Sequence, residues 1–128
     1  MKIDIERVEE IERKIDKKVE EDRIIIYFIG VKSSGKYKIG RTKRDVYERL
    51  KELKEINPKY ELIDSYECNH ISGEKIIHNY LSLNNVKRVR EFFYYEDMEE
   101  LRLIVKTVTE ILNDRIKNGK YLKGGVYI

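Results

Sequence analysis

Apolar residues recur along the chain in two patterns, which predict helices and strands in alternation. Residues 4–21 carry apolar side chains every three or four positions, as in an amphipathic helix. Residues 24–31 are continuously apolar and rich in β-branched side chains, which is typical of a central strand covered on both faces. A polar segment with a glycine and a second short strand then predict a β-hairpin.

The helical period returns over residues 46–56. Thr42 and Asp45, which precede this segment, predict its capping pair, and Pro58 predicts its end. Four further elements follow in chain order: a strand at residues 60–68, a helix capped by Ser72, a strand at residues 89–95 and a long helix from Asp97 to the stop at Gly119. The predicted fold is α+β, with a small antiparallel sheet of three to four strands flanked by helices, an additional N-terminal helix and a long C-terminal helix.

Length and composition indicate one folded domain. The 128 residues are 41% hydrophobic and 40% charged, which leaves enough apolar side chains for a core. We expect residues 1–22 to form the N-terminal helix and residues 23–128 to form the domain itself. The apolar stripe of the first helix is short, which favours packing on this domain; a homodimer through the N-terminal or the C-terminal helix is the alternative.

The single cysteine, Cys68, excludes an intrachain disulfide and a CxxC-type zinc site. It indicates a reducing intracellular location, in the cytoplasm or, in a eukaryotic or viral setting, in the nucleus or a viral factory. The longest apolar run, residues 24–31, is too short to span a bilayer, so we expect no membrane partner.

The distribution of charge indicates a nucleic-acid partner more strongly than the net charge of +3 does. Basic residues predominate between residues 32 and 54, whereas acidic residues predominate in residues 1–22. Residues 88–95 mix cations with aromatic rings, which suits base stacking and suits an ordinary edge strand equally well. The residues predicted to bind nucleic acid are Arg41, Lys43, Arg44, Lys51, Arg88 and Arg90.

Two charged residues fall on helix edges that should be apolar. At about 100° per residue, Arg49 lies at the edge of its apolar stripe, so its guanidinium reaches out to solvent, pairs with a carboxylate or points into a cleft beside the sheet. Glu74 has a similar position on the later helix, with His78 one turn further along. A Glu and a His four residues apart can share a metal ion, although Glu74 alone equally suits a helix N-terminus.

The stretches IIY at 25–27 and KIG at 38–40, followed by Arg49 and Glu74 on successive helices, resemble the GIY-YIG endonuclease superfamily. More narrowly, they are similar to its compact branch in phage and viral proteins, which has a YKIG motif and a later E-K-x-x-H helix. The resemblance covers residues 24–95. It implies a small antiparallel sheet flanked by helices, and cleavage of DNA with the help of one divalent ion.

The resemblance also implies roles for individual residues. Tyr27 would belong to the active site, Arg49 would steady the scissile phosphate, and Glu74 would bind a single Mg²⁺ or Mn²⁺. Phosphodiester hydrolysis needs an activated water and charge relief on the phosphate oxygens, which such a set could supply.

Three more residues are candidates for the same site. Lys38 occupies the position of the second-motif tyrosine, Tyr37 is a candidate second hydroxyl, and His78 is a candidate helper. Because side chains alternate along a strand, only one of Tyr37 and Lys38 can share the face of Tyr27. Counting across a loop of about five residues favours Tyr37, whereas the resemblance favours Lys38, which we adopt.

The sequence therefore predicts a metal-dependent endonuclease that hydrolyses phosphodiester bonds in DNA, with RNA left open as a substrate. The alternative is a catalytically weak or inactive nucleic-acid-binding module of the same fold. It is favoured by Lys38 and by Leu53, which stands where the superfamily has an auxiliary His or Tyr one turn after the arginine. A third hypothesis is a protein-interaction domain that uses its terminal helices.

Overall fold

A computed structural model, which describes residues 3–15, 21–117, 121–122 and 126–127, shows helices packed on both faces of an antiparallel sheet. The helices are α1 (Ile5–Ile15), α2 (Val46–Ile56), α3 (Gly73–Leu83) and α4 (Met98–Lys117). The strands are β1 (Glu21–Gly30), β2 (Lys36–Thr42), β3 (Glu61–His70), β4 (Lys87–Val89), β5 (Phe92–Tyr94), β6 (Tyr121–Leu122) and β7 (Val126–Tyr127).

Strands β1 to β5 form one sheet in the order β3-β1-β2-β5-β4, and β6 and β7 pair separately. The predicted α+β fold is confirmed, with five strands in the main sheet rather than three to four. The C-terminal part of the predicted first helix, residues 16–20, and the predicted stop at Gly119 lie outside the described residues. Within the described part of the chain, no helix has the length and apolarity needed to cross a bilayer.

The sheet separates two hydrophobic cores of unequal size. Helices α1, α3 and α4 contribute to the larger core, into which Ile26 and Phe28 of β1 point. Helix α2 covers the other face, where Tyr27 and Ile29 pack with Leu53. Because side chains alternate along a strand, the apolar run within β1, residues 24–30, supplies both cores.

The register of the β1–β2 hairpin decides which side chains of β2 join Tyr27. Tyr27 lies opposite Gly40, Ile29 opposite Lys38, and Gly30 opposite Tyr37. Because opposed residues in an antiparallel pair share a face, Lys38 lies on the face of Tyr27. Six residues, 31–36, separate the last opposed pair, Gly30 and Tyr37, which is one more than the loop assumed from the sequence; a shift of one residue exchanges the two faces.

Tyr37 therefore points into the larger core, contrary to the count that favoured it as the neighbour of Tyr27. It is completely buried, and its ring stacks on Phe28 with a centroid distance of 5.2 Å. Its hydroxyl accepts a hydrogen bond from the backbone N–H of Gly35 at 3.2 Å. A second hydroxyl beside Tyr27 is thus not supplied by Tyr37.

The single strand predicted at residues 89–95 is wrong, because the chain turns back within it. Val89 lies opposite Phe92, so Arg90 and Glu91 form a two-residue turn between β4 and β5. Arg90 has a φ of 57°, a left-handed conformation that is uncommon for residues other than glycine. The usual glycine or asparagine of such a turn is missing, which is why the sequence pattern indicated a continuous strand. The turn brings Glu91 next to β2.

Helix α1 packs on the domain, as the sequence favoured. Val8 and Ile11 are buried in the larger core, and the backbone N–H of Asp4 donates to the hydroxyl of Tyr80 at 3.1 Å. The apolar stripe of α1 is thus used within the chain, and a homodimer through either terminal helix stays a prediction.

A buried polar network connects α1 to the ends of β3 and α4. The completely buried Glu12 places Oε2 2.7 Å from Nε2 of His70, and its Oε1 accepts a hydrogen bond from Arg115 at 2.8 Å. Nδ1 of His70 accepts from the backbone N–H of Ser72 at 3.1 Å, so Nε2 carries the proton that His70 donates to Glu12. No local pattern indicates this role of His70, because its partner Glu12 is distant in the chain.

Candidate functional site

Tyr27 and Arg49 meet between the sheet and α2. Tyr27 is 2% exposed, and its ring lies across β2 at Gly40, which has no side chain to obstruct it. Nε of Arg49 donates a hydrogen bond to the Tyr27 hydroxyl at 3.3 Å. The side chain of Arg49 is 31% exposed, so it reaches the buried Tyr27 hydroxyl while keeping contact with solvent. Of the alternatives that its place at the edge of the apolar stripe left open, Arg49 combines two, because it turns towards the sheet and also pairs with a carboxylate, that of Glu52.

The Arg49 guanidinium is held from its other side by Glu52. Nη1 of Arg49 donates to Oε2 of Glu52 at 2.8 Å, and Arg44 donates to Oε1 of the same carboxylate at 2.8 Å. The hydrogen bonds with Tyr27 and with Glu52 raise the pKa of Arg49 further above its ordinary value. The Arg49 and Arg44 bonds together hold the pKa of Glu52 below its usual range. Arg49 is thus a charged donor in a fixed orientation.

Lys38 is nearly buried and forms an ion pair with the turn residue Glu91. Its side chain is 10% exposed, and its Nζ lies 2.9 Å from Oε2 of Glu91. The hydrogen bond from Lys38 lowers the pKa of Glu91, which is therefore a carboxylate at neutral pH. Sequence reasoning missed Glu91. The polar pair Arg90-Glu91, which interrupts an otherwise apolar and aromatic run, was the available signal.

Glu74 approaches the edge of β2 beyond the residues that pair with β5. It lies in the first turn of α3, and the backbone N–H of Arg41 interacts with its carboxylate. Burial, and then the negative charge of Glu91, raise the pKa of Glu74. Glu74 is thus a half-buried carboxylate that faces a second one.

His78, one turn further along α3, is a structural contact between helix and sheet. Its Nε2 lies 2.7 Å from the carbonyl oxygen of Ile39, which can only accept, so His78 donates this bond. Burial lowers the pKa of His78 to about 4, and the ring is therefore neutral at pH 7. The ring also contacts Phe93, with a centroid distance of 5.0 Å. With Nε2 engaged at the backbone, His78 supports the strand edge beside Glu74.

The carboxylate of Glu74 fits a hard divalent cation such as Mg²⁺ or Mn²⁺. Such ions prefer oxygen ligands, and a positive charge would offset both causes that raise the pKa of Glu74. Among the described residues, no group of three or more His, Cys, Asp or Glu side chains is placed to hold a metal. An ion here would therefore depend on Glu74, on water and on phosphate oxygens of a substrate.

The six basic residues predicted to bind nucleic acid are all exposed, but they have different surroundings. Arg41 and Arg88 lie close enough to Glu74 to lower its pKa against the larger effect of burial. Lys43 is paired with Asp22 at 2.6 Å, and Arg44 is engaged by Glu52 as described above. Lys51 and Arg90 complete the set on α2 and in the β4–β5 turn.

Gly40 allows Tyr27 to reach Arg49, and its replacement gives a direct test of this packing. A Cβ at position 40 would overlap the hydroxyl end of the Tyr27 ring. We expect Gly40→Ala to lower the free energy of unfolding by about 1–3 kcal/mol, measured by urea denaturation. In a Tyr27→Ala background the same substitution should cost much less, because the obstacle is gone. An equal cost in both backgrounds would contradict this account of Gly40.

Fold and site together define a small α+β domain that gathers a tyrosine, an arginine, a lysine and two carboxylates around β2. A family model described as the T5orf172 domain matches residues 24–114, from β1 into α4, and the chain belongs to this family. The assignment to the GIY-YIG endonuclease superfamily and its YKIG branch is therefore wrong, because the family that matches is a different one. No curated protein and no solved structure matches the chain.

Proposed function

We propose that the protein is a metal-dependent endonuclease that hydrolyses phosphodiester bonds in DNA. The observation that carries this proposal is the Arg49–Tyr27 hydrogen bond on the sheet face that also carries Lys38, with the Lys38 partner Glu91 acting electrostatically on both Arg49 and Glu74. A guanidinium held by two partners is preorganised for an anion with several oxygens, such as a phosphate. An intracellular location, where the buried free thiol of Cys68 stays reduced, is part of the proposal.

Each side chain of the site has a task in this reaction that follows from its contacts. Arg49 binds a non-bridging phosphate oxygen and stabilises the negative charge that grows on it during attack by water. The Tyr27 oxygen accepts from Arg49, so its own O–H proton is free to orient the water or the phosphate. Glu74 would hold Mg²⁺ or Mn²⁺, which supplies charge neutralisation and an acidified water when bound.

The Lys38–Glu91 ion pair favours a second candidate function, a binding module with little or no turnover. Lys38 is 8% exposed and its charge is balanced by that of Glu91. Neither side chain is therefore available for catalysis unless the ion pair breaks. In this case the site and the exposed basic residues around it would bind DNA without cutting it. The two candidates differ in a single measurement, divalent-dependent nicking of supercoiled plasmid.

We expect the wild-type protein to nick plasmid DNA in Mg²⁺ or Mn²⁺, and Glu74→Gln to lose this activity while becoming more stable. The pKa of Glu74 is raised in the folded state, so the carboxyl costs stability as pH rises above 4.5 and through its native pKa. The amide removes that cost, so we expect Glu74→Gln to be more stable than the wild type at pH 7 and to lose this advantage at pH 4. Thermal unfolding at pH 4 and pH 7 measures it.

The matched control is Glu110→Gln, because Glu110 is exposed on α4. It should change neither nicking nor the stability at pH 7. Nicking by Glu74→Gln at the wild-type rate would point to a contaminating nuclease or a misplaced site. Salt-sensitive DNA binding without cleavage in either metal would favour the inactive binding module.

A further inference from the structure

The sheet has an open area beside the site. On β2 and β5, Lys36 lies opposite Tyr94 and Lys38 opposite Phe92, so all four share the face of Tyr27. Helix α2 packs with the β1 residues of this face, whereas Lys36 is exposed. Phe92 and Tyr94 lie two residues apart on one strand, which places their rings about 7 Å from each other.

Cations lie over the rings of this open area. Nζ of Lys36 lies 4.7 Å from the ring centroid of Phe92 and 5.9 Å from that of Tyr94. Nζ of Lys87, which is exposed on β4, lies 5.2 Å from the Tyr94 centroid. Tyr60, at 6.4 Å from Phe92, extends the row of rings towards α2. We call Tyr60, Phe92, Tyr94 and the two lysines the aromatic platform.

We propose that the aromatic platform binds an unpaired DNA strand, so that the proposed endonuclease acts on single-stranded or branched DNA. This inference rests on the proposed function for its cleavage step, but not for binding. A duplex hides the faces of its bases, whereas an unpaired strand offers a base to each ring and phosphates to the lysines. The combination of stacking rings and compensating cations is the chemical complement of such a strand.

The platform is continuous with the candidate site through Lys38. Its Nζ is 6.0 Å from the ring centroid of Phe92 and 2.9 Å from Glu91. On the next strand, Ile29 faces Lys38 and Tyr27 faces Gly40, two residues further along β2. A strand stacked on Phe92 and Tyr94 would thus extend past Lys38 towards Arg49, which brings one of its phosphates to the guanidinium.

The absence of tryptophan from the sequence allows a direct test of stacking. Tyr94→Trp introduces the only indole, and we expect an oligothymidine strand to quench its fluorescence to saturation in EDTA, where no cleavage occurs. A duplex of the same length should quench it several-fold less. Binding of the single strand without any quenching would overturn stacking at this position.

Affinity gives a second and independent measurement. In EDTA, Phe92→Leu and Tyr94→Leu should each weaken binding of a labelled single strand roughly tenfold by fluorescence anisotropy. Tyr94→Phe keeps the ring and should bind normally, as should Tyr47→Leu, because Tyr47 is an exposed tyrosine of α2 outside the platform. Wild-type affinity in both correctly folded leucine variants would overturn the proposal, and tighter binding of single-stranded RNA would overturn the assignment to DNA.

Failure of the platform and failure of the proposed function give different results. Stacking and platform-dependent binding without nicking in Mg²⁺ or Mn²⁺ would overturn the cleavage step and leave the platform in place. Nicking combined with leucine variants of unchanged affinity would overturn the platform alone.

Discussion

Arg49→Ala will reduce the rate of divalent-dependent DNA nicking by about 10²–10³-fold, because it removes the donor that stabilises charge on the phosphate. Arg49→Lys should recover little of this loss. A lysine cannot donate from one rigid fork to both the Tyr27 hydroxyl and Glu52, as Arg49 does at 3.3 Å and 2.8 Å. Single-turnover nicking at saturating protein measures the effect on the chemical step.

The control for Arg49 is Lys51→Ala, because Lys51 is an exposed cation on the same helix. It should lower the affinity for DNA and its salt dependence slightly, and leave the saturated rate unchanged. If Arg49→Ala and Lys51→Ala gave the same saturated rate, Arg49 would act only as a general phosphate contact, and the proposed catalytic role would be wrong.

Glu12→Ala should be the most destabilising of the substitutions considered, at about 3–5 kcal/mol. It removes the carboxylate that the fully buried His70 contacts, and one of the two carboxylates that pair with Arg115, whose side chain is 11% exposed and also contacts Glu9. Because domains of this size are stable by only about 5–15 kcal/mol, we expect the melting temperature to fall by roughly 10 °C or more. Urea denaturation followed by circular dichroism measures the free energy.

Glu10→Ala is the matched control for Glu12, because Glu10 is on the same helix and its side chain is 63% exposed in an ion pair with Lys14. Its loss should cost well under about 1 kcal/mol. A cost for Glu12→Ala as small as that expected for Glu10→Ala would contradict the proposed contribution of the buried network to stability.

Local patterns in the sequence were sufficient for the elements whose partners are near in the chain. The period of apolar residues predicted α2 and placed Arg49 at the edge of its stripe, where the guanidinium meets Tyr27. The predicted capping pair of Thr42 and Asp45 is only partly right: Asp45 is itself the N-cap, with its side chain accepting from the N–H of Tyr47 at 2.8 Å, whereas Thr42 is the last residue of β2. These features depend on helix geometry, which a sequence contains directly.

Features that depend on a single extra residue or on distant partners were not predictable in this way. The length of the β1–β2 loop decides which face of the sheet Tyr37 and Lys38 occupy, and one residue more or less exchanges them. The pattern of apolar residues does not determine the length of a loop. Glu91 reached the site through a turn that Arg90 forms without glycine. Glu12 and Arg115 are 103 residues apart in the sequence, so no local pattern around either residue predicts their contact.

Strand β5 pairs with only the first three residues of β2, and this has a consequence for how the folded chain avoids self-association. An unpaired strand edge invites another chain to add a strand, which is a common route to aggregation. Beyond β5, the edge of β2 instead meets α3: His78 donates to the carbonyl of Ile39, and Glu74 faces the N–H of Arg41. The same two side chains that border the candidate site therefore also occupy the hydrogen-bonding groups of this edge, which hinders β-pairing with another chain.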